Sequence, residues 1–264
     1  MYKFLARMFI LFVLVVCFVA PHVSAEVWTP LGRGIPPETR NIIKESRGVI
    51  DQSDFATYID DFYRLNTSNL DTTSVRGLGG AVAAIVDSGD APGILKISLR
   101  AIKGSAMNIK TVNSGWRLNG AARADSATVQ LEYAVRFKTT DVSQMGIIGG
   151  FHINGTNGTD TGDKITFVTH DESAILYGLE QKTSVGTADS LSLGTLVDDT
   201  WYNLRLCWNG SSVAWYVNDV YKGRTSTSAN QPRGINLRPL FEVTAGDSST
   251  QYTYLDYLFA RQRR

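Results

Sequence analysis

The chain has 264 residues, 43% of them apolar and 19% charged. That balance excludes a disordered, collagenous or coiled-coil protein, and two cysteines with three histidines exclude a zinc-type Cys/His array. A formal net charge of +1 gives no electrostatic ground for a nucleic-acid partner.

At the amino terminus, Lys3 and Arg7 precede an apolar run over residues 8–20, Pro21 ends it, and Ser24-Ala25 offers a small-residue exit. This three-part pattern predicts a secretory signal over 1–25, cleaved after Ala25, and with it a secreted or surface-associated protein. The run falls short of the ~20 residues of a spanning helix, so no membrane span is expected in the mature chain. Cleavage removes Lys3, Arg7 and no acid, which takes the net charge from +1 to −1. It also removes Cys17, leaving Cys207 with no internal disulfide partner, so stability must come from a large core. In its strand-like run Cys207 reads as a half-buried, inert thiol.

Residues 26–50 read as an arm: Pro30, Pro36 and Pro37 break it, and one short proline-opened helix fits 38–45. From about residue 51 the signals are those of short strands. Residues 93–99 alternate, and Val129, Leu131, Tyr133, Val135 and Phe137 alternate without a break against Gln130, Glu132, Ala134 and Arg136. Further strands fit 145–153, 164–169, 174–179, 201–208, 213–217, 220–222, 239–243 and 252–259. Asn218-Asp219 reads as a two-residue hairpin turn, and Asn-Gly pairs punctuate much of the rest. No sustained 3.6 period and no linker divides 51–264. The expectation is an all-β, antiparallel two-sheet jelly-roll sandwich in one domain over 51–264.

Several segments carry a resemblance. Asp199-Thr200-Trp201-Tyr202-Asn203-Leu204-Arg205-Leu206, followed by Val213-Ala214-Trp215-Tyr216-Val217-Asn218-Asp219, is similar to the paired strands of concanavalin A-like and laminin-G-like domains. Asp61-Phe62, Pro92-Gly93-Ile94-Leu95, Leu131-Glu132-Tyr133-Ala134-Val135-Arg136 and Leu255-Asp256-Tyr257-Leu258-Phe259 extend the likeness over roughly 55–264. Together they resemble the modules of phage and viral structural proteins and of bacterial surface proteins. Asp219 departs from the glycine usual in that hairpin. The resemblance implies the sandwich fold, which hosts lectins, glycanases, lyases and structural modules alike.

A retaining glycanase needs two carboxylates ~5 Å apart, which in this fold means a strand with acids on one face. Glu132 is followed on its face by Ala134 and Arg136, so that strand supplies no pair. A polysaccharide lyase needs a cation for the uronate and a His or Tyr for the proton. Arg136, His152, Tyr177 and Arg205 are the residues to gather on one sheet face for it, although the lyases' characteristic strands are missing. The remaining reading is a non-catalytic module that binds a polysaccharide or glycoconjugate at a cell or virion surface. Gln130, Arg136, Asn203 and Arg205 fall on polar strand faces, and Trp201 and Tyr216 fall opposite the core register. These six are the candidate carbohydrate-binding residues. A lyase or glycoside hydrolase, and a structural virion or surface component without a glycan ligand, stay open as alternatives.

Asn66, Asn154, Asn157 and Asn209 begin Asn-x-Ser/Thr glycosylation sequences, all in predicted loops. The loop 154–163 offers Asn154, Asn157, Asp160 and Asp163 at every third position. Calcium takes six to eight oxygens, so these four with loop carbonyls form a candidate calcium site of weak extracellular type.

Overall fold

The structure is a computed structural model and describes residues 55–60, 62, 70–76, 82–86, 93–111, 116–117, 130–153, 162–170, 173–186 and 188–263. The predicted signal, the arm with its short helix, and the loop residues Asn154, Asn157 and Asp160 lie outside them. Of the two units into which the chain divides, Pro36–Arg264 holds every described element.

Among the described residues sixteen strands form in chain order. The first six are β1 (Phe55–Asp60), β2 (Leu70–Arg76), β3 (Val82–Val86), β4 (Ile94–Leu99), β5 (Ala106–Thr111) and β6 (Trp116–Arg117). Next come β7 (Leu131–Thr139), β8 (Met145–His152), β9 (Lys164–Thr169), β10 (Ile175–Gln181) and β11 (Ala188–Thr195). Then follow β12 (Tyr202–Trp208), β13 (Val213–Val217), β14 (Val220–Thr225), β15 (Asn236–Ala245) and β16 (Gln251–Arg263). Two single 3₁₀ turns, Thr183–Val185 and Ser228–Asn230, are the only helical elements among the described residues.

The strands divide into two antiparallel sheets of eight. Sheet A runs β14-β13-β12-β7-β16-β4-β3, with β1 on the second half of the long β16. Sheet B runs β11-β10-β9-β8-β15-β5-β2, with β6 beside the start of β15. Successive strands repeatedly change sheet, which is the jelly-roll path. Pro239, which has no N–H to give, sits where β15 passes from β6 to β5 and neither of those strands pairs with it.

The alternation fixes which side chains meet between the sheets. Leu131, Tyr133, Val135 and Phe137 of β7 are fully buried, facing Ile147, Phe151, Ile165, Phe167 and Phe241 of sheet B. Tyr133 spans the gap: its hydroxyl donates to the Leu240 carbonyl at 2.9 Å, so the one polar atom of a buried ring is satisfied. Burial holds that phenol well above its ordinary pKa. Trp215 of β13 fills a space that exists only because residue 178 lacks a side chain. A Cβ on Gly178 would stand 2.5 Å from the indole. Phe167 meets the same indole edge-on at 5.1 Å.

Asn218 and Asp219 both take positive φ, 51° and 62°, as a tight hairpin with the right-handed twist of its strands requires. Asn and Asp tolerate that region well enough to replace the usual glycine. In β16 the register slips between Leu255 and Tyr257, leaving Asp256 as an extra residue. This bulge resets the alternation: Tyr252 and Tyr254 face outward before it, Tyr257, Phe259 and Arg261 after it, and Leu255 and Leu258 both stay in the core.

β1, β2, β3, β5, β6 and β11 have no counterpart among the expected strands, and β11 is the longest of them. Only Leu191 and Leu193 mark its alternation, because an edge strand needs little apolar side chain to hold it.

Candidate functional site

The outer face of sheet A collects most of the candidate residues. Along β7 this face presents Glu132, Ala134, Arg136 and Lys138, and along β12 it presents Asn203, Arg205 and Cys207. Arg136 stands opposite Asn203, and Arg205 opposite both Ala134 and Tyr216. Trp201, one residue before β12, turns its ring under the Arg136 guanidinium at 4.7 Å. The Arg205 guanidinium lies 4.2 Å from the centre of the Tyr216 ring. Arg136, Trp201, Asn203, Arg205 and Tyr216 therefore form one half-buried cluster. Gln130 shares the polar register but stands at the opposite end of β7, where its N–H donates to the Trp208 carbonyl at 2.8 Å.

Acidic side chains hold these cations in place. Arg136 pairs with Asp256, the residue the β16 bulge turns outward. Glu132 receives Arg261 at 2.5 Å and Arg205 at 3.7 Å. The Glu132 side chain is 2% exposed while the two arginines are 18% and 19% exposed, so a sunken carboxylate anchors cations whose outer sides reach solvent. Cys207 is a buried thiol in no disulfide on this face, with the Arg205 guanidinium 4.0 Å from its sulfur.

A second set extends the face toward β4. Lys138 of β7, Tyr254 of β16 and Lys96 of β4 occupy one cross-strand row. The Lys138 ammonium sits 5.0 Å from the Tyr254 ring and 5.6 Å from Trp201. The Lys96 ammonium sits 4.1 Å from Tyr252 and 5.8 Å from Tyr254. The sequence reading overlooked all four. Parity could place each of them on a face of its own strand, Lys138 on that of Arg136 and Tyr252 with Tyr254, but not bring the strands together.

Sheet B differs. His152, Lys164, Thr166, Asn108 and Glu242 point away from the core yet are nearly or fully buried. Asn108 donates to Glu242 at 3.0 Å. His152 stands opposite both Lys164 and Arg238. Burial first, and the Lys164 charge next, push its imidazole down to about 4, so it is neutral at physiological pH.

The lyase grouping is corrected here. Arg136 and Arg205 lie on sheet A, whereas His152 and Tyr177 lie on sheet B, so the four do not gather on one face. Period-2 alternation says which side of its own strand a residue takes, not which sheet the strand joins. No described strand carries two carboxylates two residues apart, so the single-strand acid pair expected of a glycanase is not among them; Glu180 and Asp189 stand opposite one another across β10 and β11.

Of the four candidate calcium ligands only Asp163 is described. It is buried, and its carboxylate accepts the Thr183 N–H at 2.7 Å. No group of three His, Cys, Asp or Glu side chains fit to hold a metal occurs among the described residues. Nor is any described helix long and apolar enough to cross a membrane.

No family model matches the chain, and no curated protein does. Solved structures do resemble it. A protein of unknown function from Shewanella oneidensis is 14% identical, with 87% of this chain and 95% of that one covered at a TM-score of 0.57. A Bacillus licheniformis β-glucanase is 14% identical, covering 78% and 97% at 0.53. The laminarinase catalytic domain of Thermotoga maritima is 15% identical, covering 81% and 94% at 0.51. The chain thus has the concanavalin A-like jelly-roll sandwich fold, in the form found in glucanases. These neighbours support the fold, not the laminin-G-like, phage or viral kinds that the sequence motifs resemble.

Proposed function

We propose that this protein engages a polysaccharide, and that it does so on the outer face of sheet A. The observation that carries the reading is the cluster of Arg136, Trp201, Asn203, Arg205 and Tyr216. Here two aromatic rings and two guanidinium groups share one half-buried sheet face. Sugar rings offer apolar C–H faces for stacking, and their hydroxyls match amide and guanidinium donors. Export through the signal over 1–25 suits such a ligand and belongs to the same proposal. Its check is mature protein beginning at Glu26.

Glycoside hydrolysis is the second reading. The names of the solved neighbours, a β-glucanase and a laminarinase, favour it over a non-catalytic module. The described side chains favour binding, because Glu132 and Asp256 are each engaged by arginine and Glu242 is the single acid on the outer face of its strand.

One experiment separates the two. Mixed-linkage β-glucan and laminarin are cast into native gels, and the same glycans are incubated with protein and assayed for new reducing ends. Retardation without reducing ends supports binding, with Trp201→Ala weakening it about tenfold, the order of one lost stacking contact. New reducing ends formed in proportion to protein would establish hydrolysis instead. Neither retardation nor cleavage across a broad glycan array would leave a structural role.

A further inference from the structure

The row that crosses sheet A beside the Arg136 cluster alternates aromatic and cation: Trp201, Lys138, Tyr254, Lys96. Lys138, Tyr254 and Lys96 are in direct cross-strand register over three adjacent strands, and Trp201 continues the row beyond β7. At ~4.8 Å per strand the row is roughly 14 Å long, enough to lie along several sugar units. Tyr252 flanks its end under Lys96.

The two lysines differ from the arginines beside them. Arg136 is paired with Asp256, and Arg205 and Arg261 share Glu132. Among the described residues neither the Lys96 nor the Lys138 ammonium meets a carboxylate; each is held over aromatic rings instead. A cation over a ring keeps its full charge and its three N–H donors, while the ring limits where the charge can go. Among the described residues Arg136, Arg205, Arg261, Lys96 and Lys138 gather on this face around two carboxylates, Glu132 and Asp256, in a chain whose net charge is only +1. Positive charge is thus concentrated where flat apolar rings are also present.

We propose that the ligand of this face is an acidic polysaccharide, whose carboxylate or sulfate groups are taken by Lys96 and Lys138 while its sugar rings lie against Trp201, Tyr254 and Tyr252. A neutral glucan would use the rings and leave both ammoniums without anionic partners. The spacing of cations by aromatics is what a chain with an anion on successive or alternate sugars fits. This inference rests on the polysaccharide reading above and narrows it to one charge class.

The test is native-gel retardation of the full chain, as exported, in polygalacturonate, dextran sulfate and laminarin, at low salt and at high salt. Retardation by one or both polyanions, stronger than by laminarin and reduced at high salt, is expected, since exposed ion pairs are screened. The better of the two polyanions identifies carboxylate or sulfate as the group recognised. The double variant Lys96→Gln, Lys138→Gln should lose at least about tenfold in affinity, the order of one charge-assisted hydrogen bond. Its melting temperature should stay close to the parent's, because it leaves the core and the Glu132 network intact. Polyanion binding unchanged in the double variant would overturn the proposal. Retardation by laminarin alone would also overturn it while leaving polysaccharide recognition standing. Failure with all three glycans and with a broad array would remove both.

Discussion

Two polar rows, one on the outer face of each sheet, are built from similar residue types and end in opposite states. On sheet B the outward Asn108, Lys164, Thr166 and Glu242 are between 0% and 2% exposed. On sheet A the outward Arg136, Arg205 and Arg261 side chains keep 18% to 22% exposure, and Trp201 and Tyr216 beside them are half-buried. A fully buried polar row must satisfy itself within the protein and has nothing left to offer a ligand. A half-buried row over a sunken carboxylate is held in position and still exchanges water for a partner. Facing away from the core is therefore not the same as facing solvent: the row around Glu242 is closed, whereas the Arg136 cluster of sheet A stays open.

Removing the anchor of that surface should have the largest effect. Glu132→Ala leaves Arg205 and Arg261 beside one another without their shared carboxylate, and we expect a loss of about 3 kcal/mol in urea unfolding, in the range for breaking a buried pair. A loss under about 0.5 kcal/mol would mean that Glu132 is no anchor and that the contrast between the faces is weaker than drawn.

Two buried titratable groups sharpen the contrast through pH. Burial lifts the Glu180 carboxyl, which lies between the sheets, from 4.5 to about 7; Asp189 adds to the rise, while Thr225, Gln231 and Arg233 oppose it. Between these values the folded state holds a proton that the unfolded state has released, so Glu180 makes stability fall as pH rises through that window. His152 acts in reverse. Its folded value of about 4 lies below the ordinary 6.5, so its contribution is present above about 6.5 and is lost as pH falls toward 4. Each shift corresponds to roughly 3 kcal/mol, and the two slopes oppose each other across nearly the same range. Glu180→Gln should expose a stability that climbs from pH 4 to 6.5, and His152→Asn one that declines from pH 4.5 to 7. Parallel profiles for both variants would refute this opposition.

The joint on which both faces depend is the indole of Trp215 against Gly178. Gly178→Ala forces a methyl group into a ring already in contact, at a cost of about 2 kcal/mol read from chemical denaturation. An unperturbed midpoint would show that the sheets can slide apart at that point without loss.

Calcium should have the smallest effect. If the loop 154–163 binds it in the weak extracellular range, millimolar calcium raises the melting temperature by a few degrees at most and chelator reverses the rise. No change would assign Asp163 to its Thr183 N–H contact alone.

Much of this fold is legible one strand at a time. Val135 and Phe137 are buried where period 2 puts them, and the 218–219 hairpin needs only Asn and Asp at two positive-φ positions. The cluster around Arg136 was legible in part, because Trp201 and Tyr216 stand against the core register of their own segments. The lysine row was not. Lys96, Lys138 and Tyr254 come from β4, β7 and β16, and no local pattern states that these three strands are neighbours.

Local residue patterns set the β class, the faces of the recognised strands and the turn chemistry, since all three depend on residues within a few positions of one another. The order of strands in each sheet, the bulge that turns Asp256 toward Arg136, and the division of His152 and Tyr177 from Arg136 and Arg205 came only with folding. Those depend on pairings between distant segments, where the closure entropy of long loops and the fit of two whole sheets outweigh any local preference.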